Sequence, residues 1–149
     1  MMTRERVDDQ RTVAIEVASS EQTVFRFPQG LPGFEELTRF FLCEREGLQP
    51  LTLLIALDTA DVALPLLRCA DFLTDYSPSI PTSDLEALEA TGAGDLDLFV
   101  VVTFDEKDGG VAANLMAPIC LNRARQLGRQ VVLPDGTYPL HYSLLPVFN

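Results

Sequence analysis

The side chains that could do chemistry are few and scattered. One histidine, His141, stands between Leu140 and Tyr142 near the C-terminus. A Ser-His or Cys-His couple would need a nucleophile carried to it in space. The chain has no GxSxG elbow, P-loop, GxGxxG or HExxH. Cys43, Cys69 and Cys120 are far apart, odd in number and set in apolar neighbourhoods. That spacing matches neither a zinc knuckle nor a CxxC redox pair, and reads as buried free thiols. With a single histidine, a zinc site would have to be completed by carboxylates. Carboxylates are abundant but fall mostly in expected loops, and abundance alone does not make an acid/base pair. No set of groups converges, so the expectation is a protein without catalytic residues, cofactor or metal.

Charge says more. The 149 residues carry a net charge of −11, unevenly spread. Residues 34–108 hold sixteen acids against four bases, a balance of −12, and residues 109–149 hold three arginines against Asp135, a balance of +2. Direct nucleic-acid binding needs a basic footprint to displace counterions, and none is present. A basic protein partner is compatible, because opposite fields steer encounter. Hydrophobic residues make up 47% of the chain, as in a globular domain. There is no run of eighteen apolar residues, so no membrane span is expected. The charged start lacks the apolar region of a secretory signal, so a cytoplasmic location is expected.

The elements that must position these groups are mostly strands. The central stretch is Val111 to Leu133, which contains no acidic residue. Val111 to Met116, Ile119 to Leu121 and Val131-Val132-Leu133 read as strands, with Pro118 marking a break, bulge or edge. Asn114 and Asn122 interrupt the apolar runs; if buried, their amides need partners. Upstream, Thr12 to Ala18 and Thr23 to Phe27 alternate apolar and polar residues across a hairpin loop at 19–22. Phe27-Pro28-Gln29-Gly30-Leu31-Pro32-Gly33-Phe34-Glu35 follows. Its prolines and glycines are turn chemistry, and Phe27, Leu31 and Phe34 would pin it to the core as a connector or a recognition loop.

Arg39 to Cys43, Leu51 to Leu57 and Val62 to Leu67 read as strands, the last demoted by Pro65 to an edge or bulge. Asp71 to Pro78 reads as extended. Leu98 to Phe104 is the most β-prone stretch, and 105–110 its hairpin loop. One short helix near residues 83–91 is signalled by a Ser83/Glu86 capping box, with Gly92 as the residue that ends it. Pro134-Asp135-Gly136 turns the chain before Thr137 to Leu140, and the tail 144–149 is apolar. The sum is nine or ten strands and one short helix, an all-β and mostly antiparallel sandwich or barrel.

Two segments together resemble the flagellar assembly factor FliW family. Phe27 to Glu35 is similar to that family's FPxGLPGFE loop, and Ala113-Asn114-Leu115-Met116-Ala117-Pro118-Ile119 through Asn122 to Leu133 is similar to its ANLxAPIxxN…GxQVVL block. The resemblance covers about residues 12–140, in order and at the right separation. Asp75-Tyr76 matches a family Asp-Tyr pair, whereas Arg68-Cys69-Ala70-Asp71-Phe72 departs from a more apolar Asn-Pro-Phe-type run.

The resemblance implies a small, non-catalytic β-barrel-like domain over 12–149, preceded by a disordered extension at 1–11. It implies two protein partners, flagellin and the basic RNA-binding repressor CsrA. Flagellin would occupy the protein until it is exported, after which the freed protein would capture CsrA and flagellin synthesis would resume. On this reading Glu35, Glu36, Asp105 and Glu106 are expected to steer CsrA, while Phe34 and Asn114 hold loop and strand in place. The competing expectations are a small-ligand barrel or enzyme using His141, and a flagellin chaperone without CsrA control.

Overall fold

The computed structural model describes residues 23–59, 61–105, 110–134 and 136–144. The expected strand at 12–18, the extension at 1–11, Glu106 and the tail from 145 lie outside the described residues.

Nine strands are described: β1 (Val24–Arg26), β2 (Arg39–Cys43), β3 (Leu51–Ala56), β4 (Ala63–Arg68), β5 (Asp97–Asp105), β6 (Gly110–Ala113), β7 (Ile119–Asn122), β8 (Leu127–Gln130) and β9 (Tyr142–Ser143). Seven of them close into a barrel in the order β4-β3-β2-β1-β8-β7-β5, with β5 pairing back onto β4. An odd number of strands cannot alternate direction all the way round. Here β1 and β8 run parallel, through Arg26 and Leu127, and the other six pairings are antiparallel.

Nine-residue β5 serves two neighbours on one edge. Asp97 to Phe99 pair with β7, and Val102 to Asp105 pair with β6, which then carries β9. The chain between β6 and β7 leaves the sheet at Asn114. Its side-chain oxygen accepts the N–H groups of Met116 and Ala117 at 3.0 and 3.1 Å, so β6 stops at Ala113 rather than running to Met116. Pro118 sits at the resulting break.

Alternate residues of the barrel strands point inward. Phe25, Phe27, Phe40, Leu42, Leu54, Leu66, Phe99, Ile119 and Leu121 fill the interior with Leu31 from the loop, and the rings of Phe27 and Phe40 meet edge to face at 5.0 Å. Full burial of each such side chain contributes roughly 1.5–3 kcal/mol. Gly128 lies where a Cβ would come within 2.3 Å of the Phe27 ring, so β8 approaches the interior more closely than any side chain allows. A second cluster, with Val100, Val102, Ala113, Leu115 and Leu144, covers the outer face of β5 and β6. Tyr76 closes it by donating its hydroxyl to the Leu115 carbonyl at 2.5 Å.

Several expectations are corrected. Two short helices are described, α1 (Cys69–Phe72) and α2 (Thr82–Ala87). α1 occupies part of the stretch read as extended. In α2 the N-cap is Pro81, whose carbonyl accepts the N–H groups of Asp84 and Leu85, and no side chain caps the helix. Ser83 is already inside the first turn, so the capping box does not form. The helix ends at Glu89, not Gly92: Glu89 takes φ +54°, its N–H reaches the Glu86 carbonyl, and the Ala90 N–H reaches that of Leu85. That pair of bonds is a Schellman closure.

Val131 to Leu133 lies past the end of β8, although Val131 and Leu133 still donate to the Pro118 and Met116 carbonyls. Pro65 belongs to a strand paired on both sides, but pairing with β5 begins only at Leu66, so its missing N–H falls beyond that ladder. The last described strand is Tyr142–Ser143.

Candidate interaction surface

One end of the barrel carries the loop that follows β1. Its geometry begins with Gly30 at φ +64°, where a Cβ would lie 2.6 Å from the carbonyl oxygens of Phe34 and Glu35. The loop therefore folds back on itself at a residue that has to be glycine. A bridge between Leu31 and Phe34 holds the turn, with the Phe34 N–H donating to the Leu31 carbonyl at 2.7 Å. This turn sends Leu31 into the core and leaves Phe34 at the surface, 37% exposed. Phe34 thus pins the loop through its backbone and not through a buried ring, contrary to the expectation.

The loop stands between two clefts, and Pro32 and Gln130 line both. The polar cleft, about 520 Å³, is lined by Gln29, Glu35, Asp84, Arg129 and Val132 among others. Its centre is Arg129, which donates through Nε to Asp84 Oδ1 at 2.6 Å and through Nη1 to Gln29 Oε1 at 2.6 Å. The ion pair is mostly shielded from water on its Asp84 side, 13% exposed. It ties loop, α2 and β8 together. Reading the sequence alone misses this trio, because the three residues belong to three segments; the only local signal is an arginine inside an apolar block.

The second cleft, about 270 Å³, opens over the end of the barrel. It is lined by Leu31, Pro32, Phe34, Leu64, Val101, Thr103, Asn114, Gln130, Leu140 and His141. His141 therefore sits with apolar and neutral groups, and among the described residues no carboxylate or thiol lines the cleft beside it. The thiols are elsewhere: burial pushes Cys69 and Cys120 up to about 12, and raises Cys43 as well. At neutral pH they are protonated and poor nucleophiles. Among the described residues no group of three or more His, Cys, Asp or Glu is placed to hold a metal ion. No helix among them is long and apolar enough to cross a membrane.

Of the residues expected to steer a partner, Glu35 and Glu36 are exposed on the loop, and Asp105 is exposed at the end of β5. Asp105 lies two residues beyond Thr103, on the same strand face and about 7 Å further along. The structure thus brings these three to one end of the barrel; Glu106 lies outside the described residues. Leu140 and Val132 add exposed apolar surface at 51% and 58%.

A family model described as "FliW protein" matches residues 7–144. The flagellar assembly factor FliW of Thermotoga maritima is 35% identical over 130 residues, covering 87% of this chain and 87% of that protein. The FliW of Geobacillus sp. strain WCH70 is 33% identical over 126 residues, covering 85% and 87%. A crystal structure of the flagellar assembly factor FliW superimposes with a TM-score of 0.75 at 32% identity, covering 83% of this chain and 86% of the other.

Proposed function

The chain belongs to the FliW family of flagellar assembly factors, and from that premise we propose that it works by occupying the surfaces of other proteins. It binds flagellin, and it captures CsrA, the basic repressor of flagellin translation. The two compete for it in the cytoplasm, so export of flagellin frees it to relieve repression. Glu35, Glu36, Asp105 and Glu106 steer the basic partner, and Phe34 and Asn114 hold the loop and the β6–β7 break in shape.

The observation that supports this reading is the contrast between inside and outside. The barrel interior is filled by aromatic and aliphatic side chains. The end bearing the loop instead presents apolar side chains among carboxylates. That is the make-up of a surface for a protein, not of a pocket that transforms a substrate. A pull-down with purified flagellin and purified CsrA, followed by competition between them, tests it. Capture of both, each displacing the other, is the expected result. Capture of flagellin alone would reduce the protein to a chaperone, and capture of neither would reject the reading.

A further inference from the structure

Resting on the reading above, we propose that β8 has an open main-chain edge on the side away from β7, and that an extended segment of the basic partner adds to it as a further strand in the polar cleft. The register shows why the edge is open. β1 and β8 meet at a single pair, Arg26 and Leu127, with the Arg26 N–H on the Gln126 carbonyl at 2.9 Å. Main-chain groups along a strand face alternate sides, so the next donor of β1 toward β8 would be residue 28. Residue 28 is proline, which has no N–H, and there the chain turns away into the loop. On its other side β8 is engaged by β7, and Val131 and Leu133 carry that ladder past Gln130 by donating to the Pro118 and Met116 carbonyls at 2.9 and 2.8 Å. The odd-numbered residues from Leu127 to Leu133 therefore face β7, and Gly128, Gln130 and Val132 turn their main-chain groups the opposite way. All three line the polar cleft. Among the described residues, no hydrogen bond from another segment is made to the Gly128 carbonyl or to the main-chain N–H and C=O of Gln130 and Val132.

From Gly128 to Val132 the edge is about 13 Å long, at ~3.3 Å per residue, which suits an added strand of about five residues. Main-chain bonds to such an edge give affinity, and the side chains around it choose the segment. The charged side chains lining the cleft are Glu35, Asp84 and Arg129. Asp84 and Arg129 neutralise each other. Glu35 accepts the Gly33 N–H at 3.1 Å and, among the described residues, has no cation bound to it. A carboxylate without a counter-charge beside an open edge favours a segment that carries a lysine or arginine. Pro28, Pro32 and Val132, the last 58% exposed, offer aliphatic surface to the stem of that side chain. A second copy of this chain would bring a second Glu35 and a net charge of −11 to the same cleft, so it is disfavoured as occupant.

The test follows CsrA binding to the full-length protein by main-chain amide exchange and by affinity. The N–H groups of Gln130 and Val132 are expected to exchange rapidly in the free protein and at least tenfold more slowly in the complex. Val132→Pro removes one donor from the open edge at an exposed position, and is expected to weaken affinity at least tenfold. Val132→Thr keeps that N–H and is expected to bind within about twofold of the wild type. Ala87→Trp, at an exposed position lining the cleft, blocks the path of the added strand should Val132→Pro fail to fold, with the same tenfold loss expected. Unprotected amides in a CsrA complex, or wild-type affinity in Ala87→Trp and in a folded Val132→Pro, would overturn the assignment of the edge while leaving the function standing. Equal losses in Val132→Thr and Val132→Pro would overturn it too, because the side chain would then carry the contact. Slow exchange already in the free monomer would mean that the edge is covered from within the chain, and protection that grows with the concentration of this protein alone would give the edge to a second copy; either result overturns the proposal. No binding of CsrA by the wild type would instead sink the function itself.

Discussion

The side-chain amide of Asn122 donates to the main-chain carbonyl of Leu88 at 2.8 Å, so a residue of β7 closes the C-terminus of α2. The same amide reaches the Glu89 carbonyl at 3.4 Å, and its oxygen accepts the Arg125 N–H at 3.3 Å. An orphan helix carbonyl, a strained residue and the β7–β8 turn are thus served by one buried side chain. Asn122→Ala is expected to cost about 1–3 kcal/mol, the penalty for a buried polar group left without a partner. Urea unfolding would show this as a lower midpoint at an unchanged slope. A wild-type midpoint would mean that another group satisfies the carbonyl.

The left-handed backbone at Glu89 gives the opposite prediction. A side chain at φ +54° costs about 1–2 kcal/mol that glycine avoids, less glycine's greater loss of freedom on folding. Glu89→Gly should therefore raise stability by about 0.5–1 kcal/mol. The ion pair it loses, to Arg125 at 3.7 Å, is exposed on both sides and contributes little. A lower melting temperature would show that the Glu89 side chain has a role beyond this pair.

The buried thiols predict an alkaline limit. Cys69 and Cys120 keep their protons in the folded state up to about 12, whereas the unfolded thiols lose theirs near 9.0. Below 9 the two states bind these protons equally and stability is unaffected. Between about 9 and 12 the unfolded state has given them up and the folded state has not, so stability falls as pH rises. Burial also raises Tyr76, which adds to the loss at the upper end. Thiol titration with a chromogenic disulfide at pH 8 should find Cys69 and Cys120 silent in the native protein and reactive in denaturant. Prompt native labelling of both would contradict this.

The proposed steering charges predict a kinetic effect. Reversal of Glu35, Glu36, Asp105 and Glu106 to lysine should slow CsrA association roughly tenfold at low salt, with the difference shrinking as salt rises. Stopped-flow rates at two ionic strengths check it. Unchanged rates would remove these four residues from the steering field.

What the residues declare by themselves is local. β2, β3 and β5 are visible in runs such as Phe40-Phe41-Leu42 and Val100-Val101-Val102, where apolar and β-branched residues outnumber everything else. The turn at Gly30 is visible because its chemistry lies in adjacent residues. Contacts between distant segments are not. The end of α2 is read at Gly92 because glycine is the usual stop, yet Asn122 holds Glu89 in that conformation from 33 residues away. The Arg129–Gln29 bond spans 100 residues and the Arg129–Asp84 bond 45, so no window of sequence contains the polar cleft. Closure of the barrel through β4 and β5 is likewise a pairing that periodicity cannot express, which leaves sandwich and barrel equivalent at the level of pattern.

The central claim is that this protein acts by holding other proteins, and one titration addresses it most directly. The purified protein is titrated with CsrA by calorimetry, alone and after saturation with flagellin. The account predicts a specific complex with CsrA that flagellin abolishes. No heat of binding to either protein, at concentrations where both are folded, would contradict it.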